Sequence, residues 1–337
     1  KAIVVRAFYG LKSSGAAFRA HLAGCMRGMG YVSCPADPDL WLKEQTDRKG
    51  RRYYSYILCY VDDLLVVHHN PRCVMDKING FLPLKPDSVG PPEMYLGAKL
   101  KKKTFEDGTS AWGLSPAKYV QQAVKNVETY LKSNLEGRYS LPKRGENPFP
   151  VDYAPEEDVS PLLEPDVATY YMQLIGILRW MCELGRIDIC TEVSMLSSYS
   201  AMPREGHLEA ALHVFSYLKS KSNSRLIFDP MEPDLGDSNF VECDWSDFYP
   251  GASEALPPNA PKPLGKGVTL RMFVDSDHAG DKVSRRSRTG FVIFLNYGMI
   301  DWLSKKQSTV ETSVFGAEFC AMKHGIENLR GIRYKLR

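Results

Sequence analysis

Two adjacent aspartates interrupt the most apolar stretch of the chain, and they restrict what that stretch can fold into. The apolar runs Tyr53–Val61 and Leu64–His68 flank Asp62 and Asp63. Two β-rich runs joined by two polar residues are typical of a hairpin. Apolar strands on both sides predict a largely buried hairpin, in which two neighbouring carboxylates repel each other and are costly to desolvate.

Two interpretations of this aspartate pair stay open from the residues alone. A divalent cation would offset both charges, and carboxylate oxygens suit Mg²⁺ (or Mn²⁺), which also binds substrate phosphates. Two such ions about 3.5–4 Å apart can activate a 3′-hydroxyl and stabilise a leaving pyrophosphate. Alternatively, the pair lies in a solvated turn, where aspartate is common.

Length and composition exclude several classes of protein. A chain of 337 residues, with 44% hydrophobic and 25% charged residues, predicts two or three globular domains rather than a disordered or collagen-like chain. No apolar run approaches the ~18 residues that a membrane helix needs. The eight cysteines never form a C-x-x-C pair, which argues against a zinc site or a disulfide framework.

Opposite charges are separated along the chain. Residues 229–265 carry eight acids and one base, a net charge of −7, together with seven of the 22 prolines. Residues 266–337 carry thirteen Lys or Arg and seven Asp or Glu, a net charge of +6. Residues 1–228 then carry a net charge of +4, since the whole chain carries +3. The acidic, proline-rich segment favours a linker between these two mildly basic bodies, which suit a polyanionic partner. An ordinary solvated surface explains the charges equally well.

Local patterns predict a mixture of helices and strands. Apolar residues at three- and four-residue spacing predict a helix over Gly15–Met29, and Ser115 followed by proline predicts a serine-capped helix start. Further helices are predicted over 167–184, 188–200, 206–220 and 312–329, and strands over 2–8, 269–274, 290–295 and 299–302.

Several motifs stand in an order that matches one family. Y-V-D-D at 60–63 lies between apolar runs, as in the active-site hairpin of reverse transcriptases. Further segments are similar to copia-type retrotransposon reverse transcriptases: A-F-Y-G-L-K-S-S-G-A-A-F at 7–18, M-Y-L-G at 94–97, L-S-P-A-K-Y-V at 114–120, R-I-D-I at 186–189 and P-R-E-G-H-L at 203–208. The chain therefore resembles this family over nearly its whole length.

The resemblance implies an α+β fold with four parts. Residues 1–110 would form a reverse-transcriptase palm with an antiparallel sheet, incomplete at its N-terminus, and 111–228 a helical thumb or connection. Residues 229–265 would be the acidic linker, and 266–337 a ribonuclease H-like α/β domain, incomplete at its C-terminus. We expect the sequence to be an internal piece of a longer polypeptide.

The resemblance also assigns residues of the polymerase site. Asp62 and Asp63 correspond to two catalytic, metal-binding carboxylates, and Tyr60 to the aromatic residue near the primer end. Lys12 and Ser13 correspond to substrate-binding positions, although Ser13 replaces the family's glutamine. A third metal carboxylate of the family would lie upstream of the first residue.

A second catalytic neighbourhood is implied near the C-terminus. M-F-V-D-S-D-H-A-G-D at 272–281 and G-A-E-F at 316–319 are similar to the ribonuclease H domain that follows copia-type polymerases. By position, Asp275 and Glu318 match two metal-binding catalytic carboxylates and are expected to approach closely enough to share an ion. The alternative is a strand-end aspartate and a glutamate on a helix surface. Gly316 stands where the family's E-A-E motif has its first acid.

The implied function is RNA-directed DNA polymerase with ribonuclease H, using Mg²⁺ or Mn²⁺. The implied partners are an RNA template, a DNA primer, an RNA–DNA hybrid, deoxynucleoside triphosphates and the remainder of the Pol polyprotein, with no membrane and an intracellular location, cytoplasmic or nuclear. Because each site would lack one carboxylate, the chain alone is expected to be inactive. The alternative is a degenerate remnant that binds nucleic acid without catalysis.

Overall fold

The computed structural model describes residues 10–135, 137–143, 145–235, 244–253, 258 and 260–336. The predicted strand over 2–8 and part of the acidic linker lie outside these residues. The chain divides into two compact units, one of 1–95, 236–267 and 331–337, the other of 96–235 and 268–330. The four-part domain division stays a prediction, because compactness does not test where functional domains end.

The first unit combines two helices with a four-stranded antiparallel sheet whose strand order follows the chain. Its elements are α1 (Ser14–Gly28), β1 (Val32–Cys34), β2 (Asp37–Thr46), β3 (Arg52–Tyr60), β4 (Asp63–Val67), α2 (Pro71–Phe81) and the short β5 (Met94–Tyr95). The helix predicted over Gly15–Met29 is confirmed to within one residue at each end.

Side-chain alternation gives this sheet two different faces. Ile57 of β3 is fully buried and packs with Met26 of α1 and Ile78 of α2. Tyr60 lies three positions after Ile57 on β3, so its side chain is on the opposite face of the sheet. Asp63 of β4 is paired with Tyr60 and shares its face. Tyr60 and Asp63 therefore lie on the face that α1 and α2 do not cover.

The second unit contains a helical bundle and two small antiparallel sheets. In one sheet β6, β7 and β8 pair in that order, and in the other the order is β11, β10, β9. Its elements are β6 (Ala98–Thr104), β7 (Ser110–Ser115), α3 (Ala117–Asn134), α4 (Pro165–Glu183), α5 (Cys190–Ser197), α6 (Glu205–Ser220), β8 (Leu226–Phe228), β9 (Leu270–Asp277), β10 (Arg288–Leu295), β11 (Gly298–Lys306) and α7 (Val314–Leu336).

The predicted helices over 167–184 and 206–220 are confirmed to within two residues at each end.

The predicted role of Ser115 is wrong. Ser115 ends β7, and its hydroxyl donates a hydrogen bond to the Ser224 carbonyl at 2.8 Å instead of accepting one from an amide at the start of α3. Pairing of β7 with β8, in which Leu114 faces Leu226, brings that carbonyl within reach.

Among the described helices, none combines the length and hydropathy that a bilayer crossing requires.

A buried ion pair lies in the helical bundle. The Arg186 side chain is fully buried, and its Nε and Nη2 donate to the two oxygens of Asp188 at 2.8 and 2.7 Å. Tyr217 of α6 donates its hydroxyl to the same carboxylate at 2.9 Å. Burial acts to raise the pKa of Asp188, but the hydrogen bonds and charge of Arg186 outweigh it and lower that pKa. The pair therefore ties the turn between α4 and α5 to α6.

We expect Asp188→Asn to lower the free energy of unfolding by about 3 kcal/mol, because the buried Arg186 cation loses its counter-charge. This value is the low end of the about 3–5 kcal/mol lost when one partner of a buried ion pair is removed, because the Asp188 side chain is 34% exposed. The folded-state pKa of Asp188 lies below its ordinary value of 3.8. The pair therefore stabilises the protein above that pH and loses its contribution as the pH falls through the folded-state pKa. Urea denaturation as a function of pH measures both effects.

The matched control is Asp76→Asn, which removes one partner of the exposed Arg72–Asp76 pair. It should change the free energy of unfolding by less than about 1 kcal/mol. Equal losses in the two variants would show that burial of Arg186 does not set the energy of its pair.

Candidate metal and nucleic-acid site

Asp62 and Asp63 lie at the tip of a tight hairpin, as predicted. Tyr60 and Asp63 form the last pair of β3 and β4, and Val61 and Asp62 make the two-residue turn between them. The expectation that this hairpin is largely buried is wrong at its tip, where Tyr60 is 47% and Val61 71% exposed. The helices pack against the strands nearer Ile57 and on the other face, so the tip projects beyond the core.

The charge of this tip is not offset locally. Among the described residues, neither Asp62 nor Asp63 accepts a hydrogen bond or forms an ion pair. Burial raises the pKa of Tyr95, and the negative charge of Asp63 raises it further, so the Tyr95 phenol lies near that carboxylate. Two exposed carboxylates without counter-ions fit the preference of Mg²⁺ for oxygen ligands and retained waters.

The described residues supply only part of a complete metal cage. No group of three or more His, Cys, Asp or Glu side chains within the described part of the chain is arranged to hold a metal ion. A cation at Asp62 and Asp63 would therefore take its remaining ligands from water or from substrate phosphates, as Mg²⁺ commonly does.

Lys12 and Ser13 lie immediately before α1, and both are exposed. The Ser13 carbonyl accepts a hydrogen bond from the Ala17 amide at 3.0 Å, while its side chain does not cap the helix. No hydrogen bond or ion pair within the described residues joins Lys12 or Ser13 to Asp62 or Asp63. Their substrate-binding role stays a prediction.

Asp275 lies on the face of β9 that α7 does not cover. Helix α7, which carries Glu318, packs on the face of β9 that bears Met272 and Val274: a Cβ added to Gly325 would lie 2.5 Å from the Met272 sulfur and 3.7 Å from Val274 Cγ2. Because successive side chains of a strand alternate, Asp275 lies on the opposite face, and it lines a groove of about 350 Å³ that Cys190 and Phe273 also line. That Asp275 and Glu318 share an ion stays a prediction.

A different carboxylate lies beside the start of α7. A Cβ added to Gly316 would lie 2.8 Å from Oε2 of Glu311, and Oε1 of Glu311 accepts a hydrogen bond from Thr309 at 2.8 Å. Glu311 therefore fills the space of the side chain that the related motif carries at position 316. The sequence signal was the glycine in G-A-E, but the motif alone did not show which side chain takes its place.

The neighbouring acid Asp281 has a structural role. It accepts hydrogen bonds from Lys306 Nζ at 2.8 Å and from the Ser284 amide at 2.7 Å. Burial acts to raise the pKa of Asp281, but these two donors outweigh it and lower the pKa to about 2. Asp281 and Lys306 therefore hold the loop between β9 and β10 against β11.

Sequence reasoning missed an exposed basic strand. Strand β6 reads A-K-L-K-K-K-T, and Lys99, Lys101, Lys102 and Lys103 are all exposed. Lysines on one exposed strand supply the electrostatic attraction that nucleic-acid backbones require. The net charge was summed over long segments, and such a sum does not reveal four lysines within five residues. A residue-by-residue search for basic runs would have found them.

The chain is similar to proteins of retrotransposons. It is 25% identical over 323 residues to the retrovirus-related Pol polyprotein from transposon TNT 1-94 of Nicotiana tabacum, covering 94% of this chain and 20% of that protein. It is 23% identical over 322 residues to the one from transposon RE1 of Arabidopsis thaliana, covering 93% and 18%. It is 27% identical over 307 residues to a putative transposon Ty5-1 protein of Saccharomyces cerevisiae, covering 88% and 79%.

No family model and no solved structure matches the chain. The chain spans about a fifth of the length of the two Pol polyproteins compared above. The predicted resemblance to Pol polyproteins of copia-type retrotransposons is confirmed by the relatives.

Val61 is strained by the turn that presents the aspartates. Its φ is 55°, a left-handed conformation that is a genuine outlier for a β-branched residue. We expect Val61→Gly to raise the free energy of unfolding by about 1 kcal/mol, because glycine adopts this conformation without a steric cost. Thermal and urea unfolding of the purified chain measure the change.

Val67→Gly is the matched control, since Val67 lies in β4 of the same hairpin and is 52% exposed. This substitution should lower stability by up to about 1 kcal/mol, because glycine is less favourable than valine in a β-strand. If both variants lose stability, the turn does not strain Val61.

Proposed function

We propose that this chain is part of the RNA-directed DNA polymerase of a copia-type retrotransposon Pol polyprotein, and that Asp62 and Asp63 bind its Mg²⁺ or Mn²⁺. The observation that carries the proposal is a pair of exposed carboxylates at the tip of a tight hairpin, to which no described residue donates a hydrogen bond or offers an ion pair. Similarity to Pol polyproteins over more than nine-tenths of the chain supports it.

The chemistry assigned to the site is template-directed nucleotidyl transfer. A primer 3′-hydroxyl attacks the α-phosphate of a deoxynucleoside triphosphate, and pyrophosphate leaves. Bound divalent ions would lower the charge repulsion between the triphosphate and the attacking oxygen. The role of Asp62 and Asp63 is to hold the divalent cation at the hairpin tip, where their carboxylates face solvent and the substrates can enter.

Exposed residues of each unit fit contact with a primer or a template. Tyr60 shares the uncovered sheet face with Asp63 and is 47% exposed, so its ring can pack against a primer nucleotide. The lysines of β6 would contact phosphates of an RNA template or RNA–DNA hybrid. Such contacts give affinity without sequence preference, as a polymerase needs.

Ribonuclease H activity has weaker support than the polymerase. The resemblance implies it, but Asp275 lies on the face of the sheet that α7 does not cover, whereas Glu318 lies on α7. The second candidate is a protein that binds nucleic acid without catalysis. The absence of a three-carboxylate cluster within the described residues favours it.

Metal binding tests the polymerase site directly. We expect the purified chain to bind Mn²⁺, measured by water proton relaxation. Asp62→Asn and Asp63→Asn should each weaken binding at least about tenfold, which is the smaller loss usual for replacing a residue that only contacts a metal ligand. The double variant should lose binding. Asp76→Asn is the control, because Asp76 is an exposed aspartate paired with Arg72 in the same unit.

Primer extension on an RNA template then separates the two candidates. Extension is measured in a chain that includes more Pol sequence on both sides, because Asp62 and Asp63 alone do not complete a two-metal site. Loss of extension in both Asp→Asn variants supports the polymerase. Duplex binding without extension in any form supports the non-catalytic candidate, and Mn²⁺ binding that survives in the double variant contradicts the assigned site.

Nucleic-acid binding should depend steeply on salt. Each phosphate contact contributes a slope of roughly 0.7–0.9 to the fall of log affinity with log salt concentration. Replacing Lys101, Lys102 and Lys103 with glutamine should therefore reduce the slope by about 2, measured by fluorescence anisotropy with an RNA–DNA hybrid. The matched triple arginine variant keeps the charge and should keep the slope. A slope that the glutamine variant leaves unchanged excludes β6 from the interface.

A further inference from the structure

Two cysteine side chains meet where α4 ends and α5 begins. Cys182 lies in the last turn of α4 and is buried, while Cys190 is the first residue of α5 and is half-buried. The Cys182 thiol donates a hydrogen bond to the Cys190 sulfur. Seven residues separate the two cysteines in the sequence, so no short cysteine motif marks the pair. The turn between the two helices is what brings the sulfurs together.

The Cys190 sulfur also accepts a hydrogen bond from a backbone amide. The donor is Ser304 of β11, which is an outer strand in the sheet order β11, β10, β9. An outer strand has amides that no neighbouring strand pairs. Cys190 also begins a helix, where free amides favour negative charge. One sulfur is thus surrounded by the Cys182 thiol, a backbone amide and the start of a helix.

Charged side chains on neighbouring elements act on Cys190 in opposite directions. The carboxylates of Glu183 and Glu192 disfavour a negative sulfur and raise the pKa of Cys190. The Arg288 guanidinium of β10 favours a negative sulfur. Burial lowers the pKa of Arg288, and the negative charges near it, that of Cys190 among them, act to raise it.

The two thiols differ in ionisation as a result. The hydrogen bond from Cys182 lowers the pKa of Cys190, burial acts against it, and the Ser304 amide lowers the pKa further, so that it lies below the ordinary value of 9.0. The same hydrogen bond raises the pKa of Cys182, and burial adds to the effect. Two cysteines that only filled space in an apolar core would both keep their protons. A thiolate beside a protonated thiol is instead the arrangement of a redox-sensitive cysteine next to one that completes a disulfide.

We propose that Cys182 and Cys190 form a redox modification site, which a hydroperoxide oxidises to a disulfide. The Cys190 thiolate attacks one peroxide oxygen, the O–O bond breaks, and Cys190 becomes a sulfenic acid. The Cys182 sulfur then attacks the Cys190 sulfur, the S–S bond forms, and the hydroxyl leaves as water with the Cys182 proton. Two thiols are oxidised, and one hydroperoxide is reduced to an alcohol and water, or to two waters where it is hydrogen peroxide.

The contact between the sulfurs makes the second step fast relative to further oxidation. Sulfurs that are already in hydrogen-bond contact need only a small approach to form a bond, and no helix has to unfold. A dithiol reductant reverses the reaction by thiol–disulfide exchange. The inference does not depend on the proposed polymerase function, because neither cysteine belongs to the site at Asp62 and Asp63.

Peptide mapping of the purified full chain after treatment with hydrogen peroxide tests the site. The first oxidation product should be a peptide pair cross-linked through Cys182 and Cys190, which mass spectrometry detects by the loss of two hydrogen atoms. Dithiothreitol should restore both thiols. Cys59 is the internal comparison, because it is half-buried like Cys190 but burial raises its pKa to about 12.

The two pKa values set the expected difference in rate. With a pKa below 9.0 for Cys190 and about 12 for Cys59, the thiolate fraction of Cys190 at neutral pH is more than about 1,000-fold larger. A more basic thiolate is more nucleophilic, and this offsets about half of the advantage on a logarithmic scale. We therefore expect Cys190 to be oxidised at least about 30-fold faster than Cys59.

Two single variants assign the order of the steps. Cys182→Ser removes the second thiol, so Cys190 should stop at the sulfenic acid and be trapped by dimedone. Cys190→Ser removes the attacking thiolate, so Cys182 should stay reduced under the same treatment. Cys59→Ser is the matched control and should form the disulfide at the rate of the parent. Circular dichroism establishes that each variant is folded.

Three results would overturn the inference. The first is a parent in which Cys182 and Cys190 stay unlinked while Cys59 is oxidised at a comparable rate. The second is dimedone trapping of Cys182 in Cys190→Ser as readily as of Cys190 in Cys182→Ser. The third is a disulfide that forms only in urea, since the unfolded chain and not the turn between α4 and α5 would then bring the sulfurs together.

Discussion

Successive side chains of a β-strand lie on opposite faces of the sheet, and this alternation decides which carboxylates of the chain can act together. In the first unit it places Asp63 beside Tyr60 on the face that α1 and α2 leave open. In the second unit it separates Asp275 from the face on which α7 packs. The same rule thus leaves Asp63 open to solvent and places Asp275 on the face opposite to α7.

Several motifs that carry the family resemblance are explained by stability rather than by chemistry. R-I-D-I places Arg186 in the core of the helical bundle and Asp188 beside it as counter-ion. In P-R-E-G-H-L, His207 is buried, with its Nδ1 accepting from the Arg204 amide at 3.0 Å and its Nε2 lying 2.9 Å from the Pro155 carbonyl oxygen. Such groups are costly to bury without partners, so these positions resist substitution without taking part in a reaction.

Local patterns predicted what depends on neighbouring residues in the chain. The hairpin at Asp62 and Asp63 and the helices of the bundle follow from apolar spacing and turn chemistry. The exposure of the hairpin tip, the hydroxyl partner of Ser115 and the separation of Asp275 from Glu318 depend on which elements pack together. Periodicity carries no information on such packing, and the family motif for Asp275 and Glu318 gave their order in the sequence but not the faces they occupy.

Glu318 follows Ala317, which is buried against the sheet of β9, β10 and β11, and is itself half-buried. The acid nearest the start of α7 is Glu311, whose oxygen fills the space beside Gly316. A helix start attracts negative charge through its free amide groups, so Glu311 contributes to the stability of α7 whether or not a metal binds nearby. Glu311 thus gives the start of α7 an acidic residue whose structural role is independent of the metal-binding role predicted for Glu318.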